Sequence, residues 1–301
     1  SGNGTLDLLN GTQTQGNVTV TNGNIISGTL TNSGITFTGG SNNITAALAG
    51  AGGLTNASGS TTLTGTNTYS GGTVVNGGSL YVSGNGTLGS TSGTTTINNS
   101  TLDLGTTTQT QALVSLSNGI ATNGTFNNTA ILGKGGTNTT ATALIGTSSV
   151  TNAVGTNALT SSGNSYTGGN TITGGTLQVA TTSSLGATTN NLSISGNGTL
   201  DLQTGTQTQG NVTVTNGNII SGTLTNSGIT FTGGNNNINA ILAGNGGLTN
   251  ASGSTTLSAA NLYSGGTVVN GGKVTATVDN ALGSSGNTLT VNSNSTLTLT
   301  G

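Results

Sequence analysis

The sequence has no proline, cysteine, methionine, tryptophan, histidine, arginine or glutamate. Six charged side chains, 2% of the chain, are all it carries: Asp7, Asp103, Asp201, Asp279, Lys134 and Lys273. Soluble globular domains are about 25% charged, so this is not the composition of an ordinary enzyme domain. Two lysines cannot neutralise enough phosphates to hold a nucleic acid, which excludes that class of partner. They are equally too few for an anionic-membrane patch. No apolar run approaches the ~18 residues of a spanning helix, so no membrane insertion is expected. The opening Ser1-Gly2-Asn3-Gly4 has neither an initiator methionine nor the basic and apolar regions of a signal peptide. The chain therefore reads as a mature product or an excerpt of something longer. The missing cysteines suit a reducing compartment or a secreted protein without disulfides.

What is present is glycine, serine, threonine and asparagine in a long repeat. Residues 11–40 recur unchanged as 205–234, an offset of 194. A weaker copy lies halfway. Asn67-Thr68-Tyr69-Ser70-Gly71-Gly72 matches Asn164-Ser165-Tyr166-Thr167-Gly168-Gly169 and Asn261-Leu262-Tyr263-Ser264-Gly265-Gly266, with 97 residues between tyrosines. Thr-Leu-Asp-Leu ends on the same beat at Asp7, Asp103 and Asp201, and Thr296-Leu297-Thr298-Leu299 opens a further copy. The reading is one continuous array: super-repeats at 1–97, 98–194 and 195–291, with a fourth beginning at 292–301.

Fixed periods mean stacked units. Short alternating runs such as Val18-Thr19-Val20-Thr21 and Ile35-Thr36-Phe37-Thr38 predict half-buried strands. Gly-Gly, Asn-Gly and Ser-Gly pairs between them predict turns that need positive φ. No segment has a helical period. The fold expected is an all-β parallel β-solenoid. Proline would delete a ladder hydrogen bond in its central strands. Like charges stacked at ~4.8 Å would repel, whereas Asn, Thr and Ser can form neutral ladders. Coils of about 19–24 residues would make four or five per super-repeat and a rod of about 60–75 Å at that rise. The inward residues predicted are Val18, Val20, Ile26, Leu30, Ile35, Phe37, Leu48, Leu63, Val74, Leu80 and Val82. In the middle copy, Val114 and Leu116 should match Val18 and Val20, and Phe126 should replace Leu30.

The segment from Gly65 to Val82, centred on Tyr69 and followed by Gly71-Gly72-Thr73-Val74-Val75-Asn76-Gly77-Gly78, resembles the passenger-associated transport repeat of bacterial autotransporters. Leu88-Gly89, Leu185-Gly186 and Leu282-Gly283 are similar to the leucine-glycine step that follows in that family. Asp103 and Asp201 sit in the threonine-leucine-aspartate-leucine close. The resemblance implies a right-handed parallel β-helix, exported by the type V route through a C-terminal outer-membrane barrel.

Catalysis finds little to work with. Glycoside hydrolysis needs two carboxylates about 5–10 Å apart, but Asp7, Asp103 and Asp201 lie one super-repeat apart, roughly 20–24 Å by coil rise. A serine nucleophile has only Lys134 or Lys273 as base. No cofactor, metal or catalytic residue is assigned. Calcium is disfavoured because the Gly-Gly-x-Gly-x-Asp pattern is missing, and each aspartate is expected to hold backbone amides instead. Tyr69, Tyr166 and Tyr263 could form a glycan-stacking stripe, but packing at a turn is the favoured role. Asn-x-Thr sequons such as Asn3, Asn17, Asn43 and Asn85 are plentiful by composition alone. The pairs Thr19/Thr21, Thr29/Thr31, Thr36/Thr38 and Thr62/Thr64 invite an ice-binding reading, which their irregular spacing opposes.

The function expected is structural: an extracellular or outer-membrane-anchored fibre shaft or adhesin stalk, not an enzyme. Its expected partners are further copies or repeats, joined end to end, and host or surface glycans. The alternative is a glycan- or ice-binding face on the same scaffold. A functional amyloid is a third possibility, since neutral, proline-free strands are aggregation-competent.

Overall fold

The computed structural model of the protein describes residues 3–180 and 184–300, and no α-helix occurs among them. The residues form two compact units, Ser1–Ser148 and Ser149–Gly301. Each is a parallel β-solenoid. Successive turns pair in register, offset by 17 residues at Val18–Ile35, 19 at Leu6–Ile25 and 23 at Thr176–Thr199.

A single strand shows how the chain builds a turn. Thr29–Ile44 runs for 16 residues and changes face twice. Its first part pairs with Thr12–Gln15, its middle with Val18–Val20, and its end with Asn24–Ile25. Positive φ at Gly40, 64°, lets the backbone leave one face for the next. The same corner is held from the turn before by Asn22, itself at φ 54°, whose Oδ1 accepts the Ser41 N–H at 3.1 Å.

In the first unit Thr5, Asn24, Asn43, Thr62, Tyr81 and Asp103 follow one another along one outer face, so five turns lead from Thr5 to Asp103. One position further along, Leu6, Ile25, Ile44, Leu63 and Val82 form an inner file. In the second unit Leu177, Leu200, Ile219, Ile238, Leu257 and Ala276 do the same. Each buried aliphatic side chain contributes ~1.5–3 kcal/mol, and a file shares that gain between neighbouring turns.

The core differs from expectation at two places. Ile25 is buried and Ile26 only half-buried; Val75 is buried and Val74 half-buried. Both errors fall on adjacent β-branched residues, where alternation alone does not say which one faces in. Val18 and Val20 are half-buried, although their register partners Ile35 and Phe37 are buried. The other predicted core residues are buried. In the middle copy, Val114, Leu116 and Phe126 are fully buried. Phe126 stands between Gln109 and Leu144, as Leu30 stands between Gln13 and Leu48.

The interior also holds polar side chains that the apolar pattern does not reveal. Gln111 is 1% exposed. Its Oε1 accepts from Thr95 Oγ1 at 3.2 Å, and its N–H donates to Thr129 Oγ1 at 3.1 Å. Asn42, Asn138 and Asn236 are buried at equivalent corners, each accepting the N–H of Gly23, Gly119 or Gly217 at 3.0–3.2 Å. These bonds satisfy backbone donors that the ladder leaves open.

Candidate functional site

The feature that recurs most completely is the corner around the tyrosines. Where the chain leaves one face before Tyr69, Asn67 supplies the missing hydrogen bonds. Its Oδ1 accepts the Leu48 N–H of the preceding turn at 2.9 Å, and its Nδ2 donates to the Thr87 carbonyl of the following turn at 2.8 Å. Thr87 Oγ1 donates back to the Asn67 carbonyl at 2.7 Å. An asparagine side chain is the right length for this, with an acceptor and a donor on one planar group. Asn261 repeats it with Leu242 and Ala281 at 2.8 and 2.6 Å. Asn164 donates to the Ser184 carbonyl at 3.1 Å.

Tyr69, Tyr166 and Tyr263 are each no more than 1% exposed. Their hydroxyls meet Thr73 Oγ1 at 2.7 Å, Asn170 Oδ1 at 2.5 Å and Thr267 Oγ1 at 2.6 Å. Burial raises all three phenols above the ordinary value of 10.0, with these hydrogen bonds pulling the other way, and Tyr263 is pushed up to about 12. Rings sealed in this way cannot stack on a glycan, so that role is excluded and the packing role holds.

The glycine of the leucine-glycine step completes the corner. A Cβ on Gly89 would lie 2.7 Å from Tyr69 Cδ2 and Cε2; on Gly186, 2.9 Å from Tyr166 Cδ2; on Gly283, 2.8 Å from Tyr263 Cε2. The ring therefore occupies the space a side chain would need. Behind Tyr166, Asn170 Nδ2 also donates to the Leu185 carbonyl at 2.9 Å and to Gln209 Oε1 at 3.1 Å. One buried network thus spans three turns.

The aspartates are engaged in local turns. Asp7, Asp103 and Asp201 accept the N–H of Leu9, Gly105 and Gln203 through Oδ1 at 3.0, 2.8 and 2.9 Å. Asp103 also takes Asn123 Nδ2 at 2.8 Å, and Asp201 takes Gln178 Nε2 at 3.2 Å. Asp279 is exposed in a turn. Lys134 and Lys273 lie exposed on strands Ala130–Gly135 and Gly272–Ala276.

The outside carries neutral files. In the first unit Thr19, Thr36, Thr55, Val74 and Thr96 are stacked turn on turn. In the second, Thr151, Thr171, Ser193, Thr213, Thr230, Thr249, Val268 and Thr290 form one file. The four threonine pairs of the sequence divide among different faces, so their irregular spacing conceals regular stacking. Asparagine ladders run along the corners. Asn118 Nδ2 donates to Asn99 Oδ1 at 3.1 Å and Asn216 Nδ2 to Asn197 Oδ1 at 2.8 Å.

This geometry defines a parallel β-solenoid whose corners are stitched by a buried Asn-x-Tyr element. That element is the passenger-associated-transport-repeat, which matches the chain at residues 58–82, 154–179 and 252–276. The chain thus carries three copies of the autotransporter passenger repeat that its tyrosine motif resembles. The three leucine-glycine steps lie beyond the matched residues, yet they are where the rings come to rest. No curated protein and no solved structure matches the chain.

Proposed function

We propose that the chain is a non-catalytic stretch of an autotransporter passenger shaft. It would wind right-handed and stand at or beyond the bacterial surface as a spacer or adhesin stalk. The observation that carries this reading is the corner at Tyr69, Tyr166 and Tyr263, which repeats three times and joins each turn to its neighbours. Three of the four carboxylates are committed to turn geometry, which supports a structural role for them. Small-angle scattering of the purified chain tests the reading. The expected maximum dimension is about 70 Å, from ~4.8 Å per turn. A spherical particle of the same mass would overturn it.

A second reading rests on the hydroxyl file from Thr151 to Thr290, which could present a regular array to ice or to a glycan. Ice-recrystallisation and glycan-array assays test it, with Thr213→Val/Thr230→Val as the paired control.

A further inference from the structure

The two outermost strands of the array are complementary in a way the interior makes explicit. Inside the second unit, Leu192–Ser195 lies on Thr206–Thr215 in parallel, with Leu192 opposite Val212 and Ile194 opposite Val214. All four side chains are at most 1% exposed. Strand Thr12–Val20 lies within the segment identical to residues 205–234, so Val18 and Val20 are the counterparts of Val212 and Val214. It pairs with Thr29–Phe37 on one edge; on the other no strand lies among the described residues, and Val18 and Val20 are half-buried.

At the far end, Leu289–Val291 is the 97-residue counterpart of Leu192–Ile194. It pairs backwards with Thr267–Val269 as its counterpart pairs with Asn170–Ile172. Its forward edge carries no strand among the described residues, and Leu289 and Val291 are 50% and 46% exposed. One copy of the chain therefore presents the strand that another copy's first turn is built to receive. Even the room is kept. A Cβ on Gly217 would stand 2.5 Å from Ile194 Cγ2, and the counterpart of Gly217 is Gly23.

We infer that the chain binds a second copy of itself head to tail, by parallel strand addition of Leu289–Val291 onto Thr12–Val20. The register sets Leu289 opposite Val18, Thr290 opposite Thr19 and Val291 opposite Val20. This is a heterologous contact, which extends rather than closes, and it joins backbone ladders as strand addition does. One feature opposes it. Ser295–Leu299 and Gly4–Asp7 are both counterparts of the segment around Thr199–Asp201, which pairs on both sides in the interior. In a joined pair only one can fill the shared place, so residues 292–301 compete with residues 1–10 of the next copy.

The experiment compares the full chain with one lacking residues 292–301, by sedimentation over a concentration series. Removing the competing strand should tighten association by about tenfold or more. Val20→Lys in the trimmed chain should abolish association while its circular dichroism is unchanged. Register is read separately, since the chain has no cysteine of its own. Thr19→Cys with Thr290→Cys in the trimmed chain should give intermolecular disulfides, and Thr19→Cys with Thr249→Cys should not. A trimmed chain that stays monomeric, or that associates equally well with Lys at position 20, would overturn the inference. The inference deepens the shaft reading but fails separately from it: scattering from the monomer tests the shaft, and association tests the contact.

Discussion

The ring of Tyr166 lies against Gly186 of the following turn, filling the space where a Cβ would stand 2.9 Å from Cδ2. The same glycine has φ 78°. It is therefore required twice, by the ring and by the backbone. Gly186→Ala is expected to cost roughly 2–4 kcal/mol from left-handed strain and overpacking combined. Chemical denaturation of the single variant and of Tyr166→Ala/Gly186→Ala checks the cause. Removing the ring should recover part of the glycine penalty, and strictly additive losses would show that the contact is not the reason.

Tyr166→Phe isolates the hydroxyl. It leaves Asn170 with its bonds to Leu185 and Gln209 but without the Tyr166 donor. The expected loss is about 1 kcal/mol, the usual net value of one hydrogen bond. The matching variant at Tyr69, whose partner is the Thr73 hydroxyl, should lose about the same.

Alkali should unfold the protein by a defined route. The buried tyrosines hold their protons more tightly when folded than when unfolded. Their contribution is complete below the ordinary value of 10.0 and is lost as pH rises towards the folded value, about 12 for Tyr263. Tyr69 and Tyr166 are raised further, because burial is their dominant cause. Stability should thus fall with rising pH above about 10. The tyrosinate absorbance of these three residues should appear together with loss of strand signal, measured by ultraviolet titration alongside circular dichroism. Ionisation well before unfolding would contradict the sealed corner.

The hydroxyl files predict sensitivity to added charge. Thr213 and Thr230 are register partners. Thr213→Lys or Thr230→Lys alone should change stability by less than ~0.5 kcal/mol, as at most exposed sites. The double variant should lose a further ~0.5–1 kcal/mol through like-charge stacking, and salt should reduce that excess.

Phe126 offers a test of equivalence between copies. Its partners Gln109 and Leu144 are the same residue types that flank Leu30. Phe126→Leu should therefore cost less than ~1.5 kcal/mol, while Phe126→Ala should cost about 3–5 kcal/mol. Thermal and chemical denaturation of both variants gives the comparison.

The solenoid was legible because alternation, neutrality and turn pairs all agree along the chain. Legibility ended where two β-branched residues are adjacent, as at Ile25-Ile26 and Val74-Val75, since one step reverses the face. The tyrosine corner was visible as a repeat. Its use of Gly89, 20 residues beyond Tyr69, was not, because only stacking brings the two together. Buried amides such as Gln111 and Asn138 escaped notice because a polar side chain in a strand ordinarily reads as outward. The threonine files escaped because turns of 17 to 23 residues scramble their spacing.

The two lysines have a consequence for survival outside a cell. A protease that cuts after basic residues finds two peptide bonds in the chain, following Lys134 and Lys273. Each lysine is inside a strand, and Lys273 is flanked in register by Ser254 and Thr296. Cutting requires several residues to be drawn out in extended form, and here that means parting parallel ladders rather than lifting a loop. Digestion at these sites would thus report local opening of the stack, and neutral ladders give it a durability against trypsin-like enzymes that needs no disulfide.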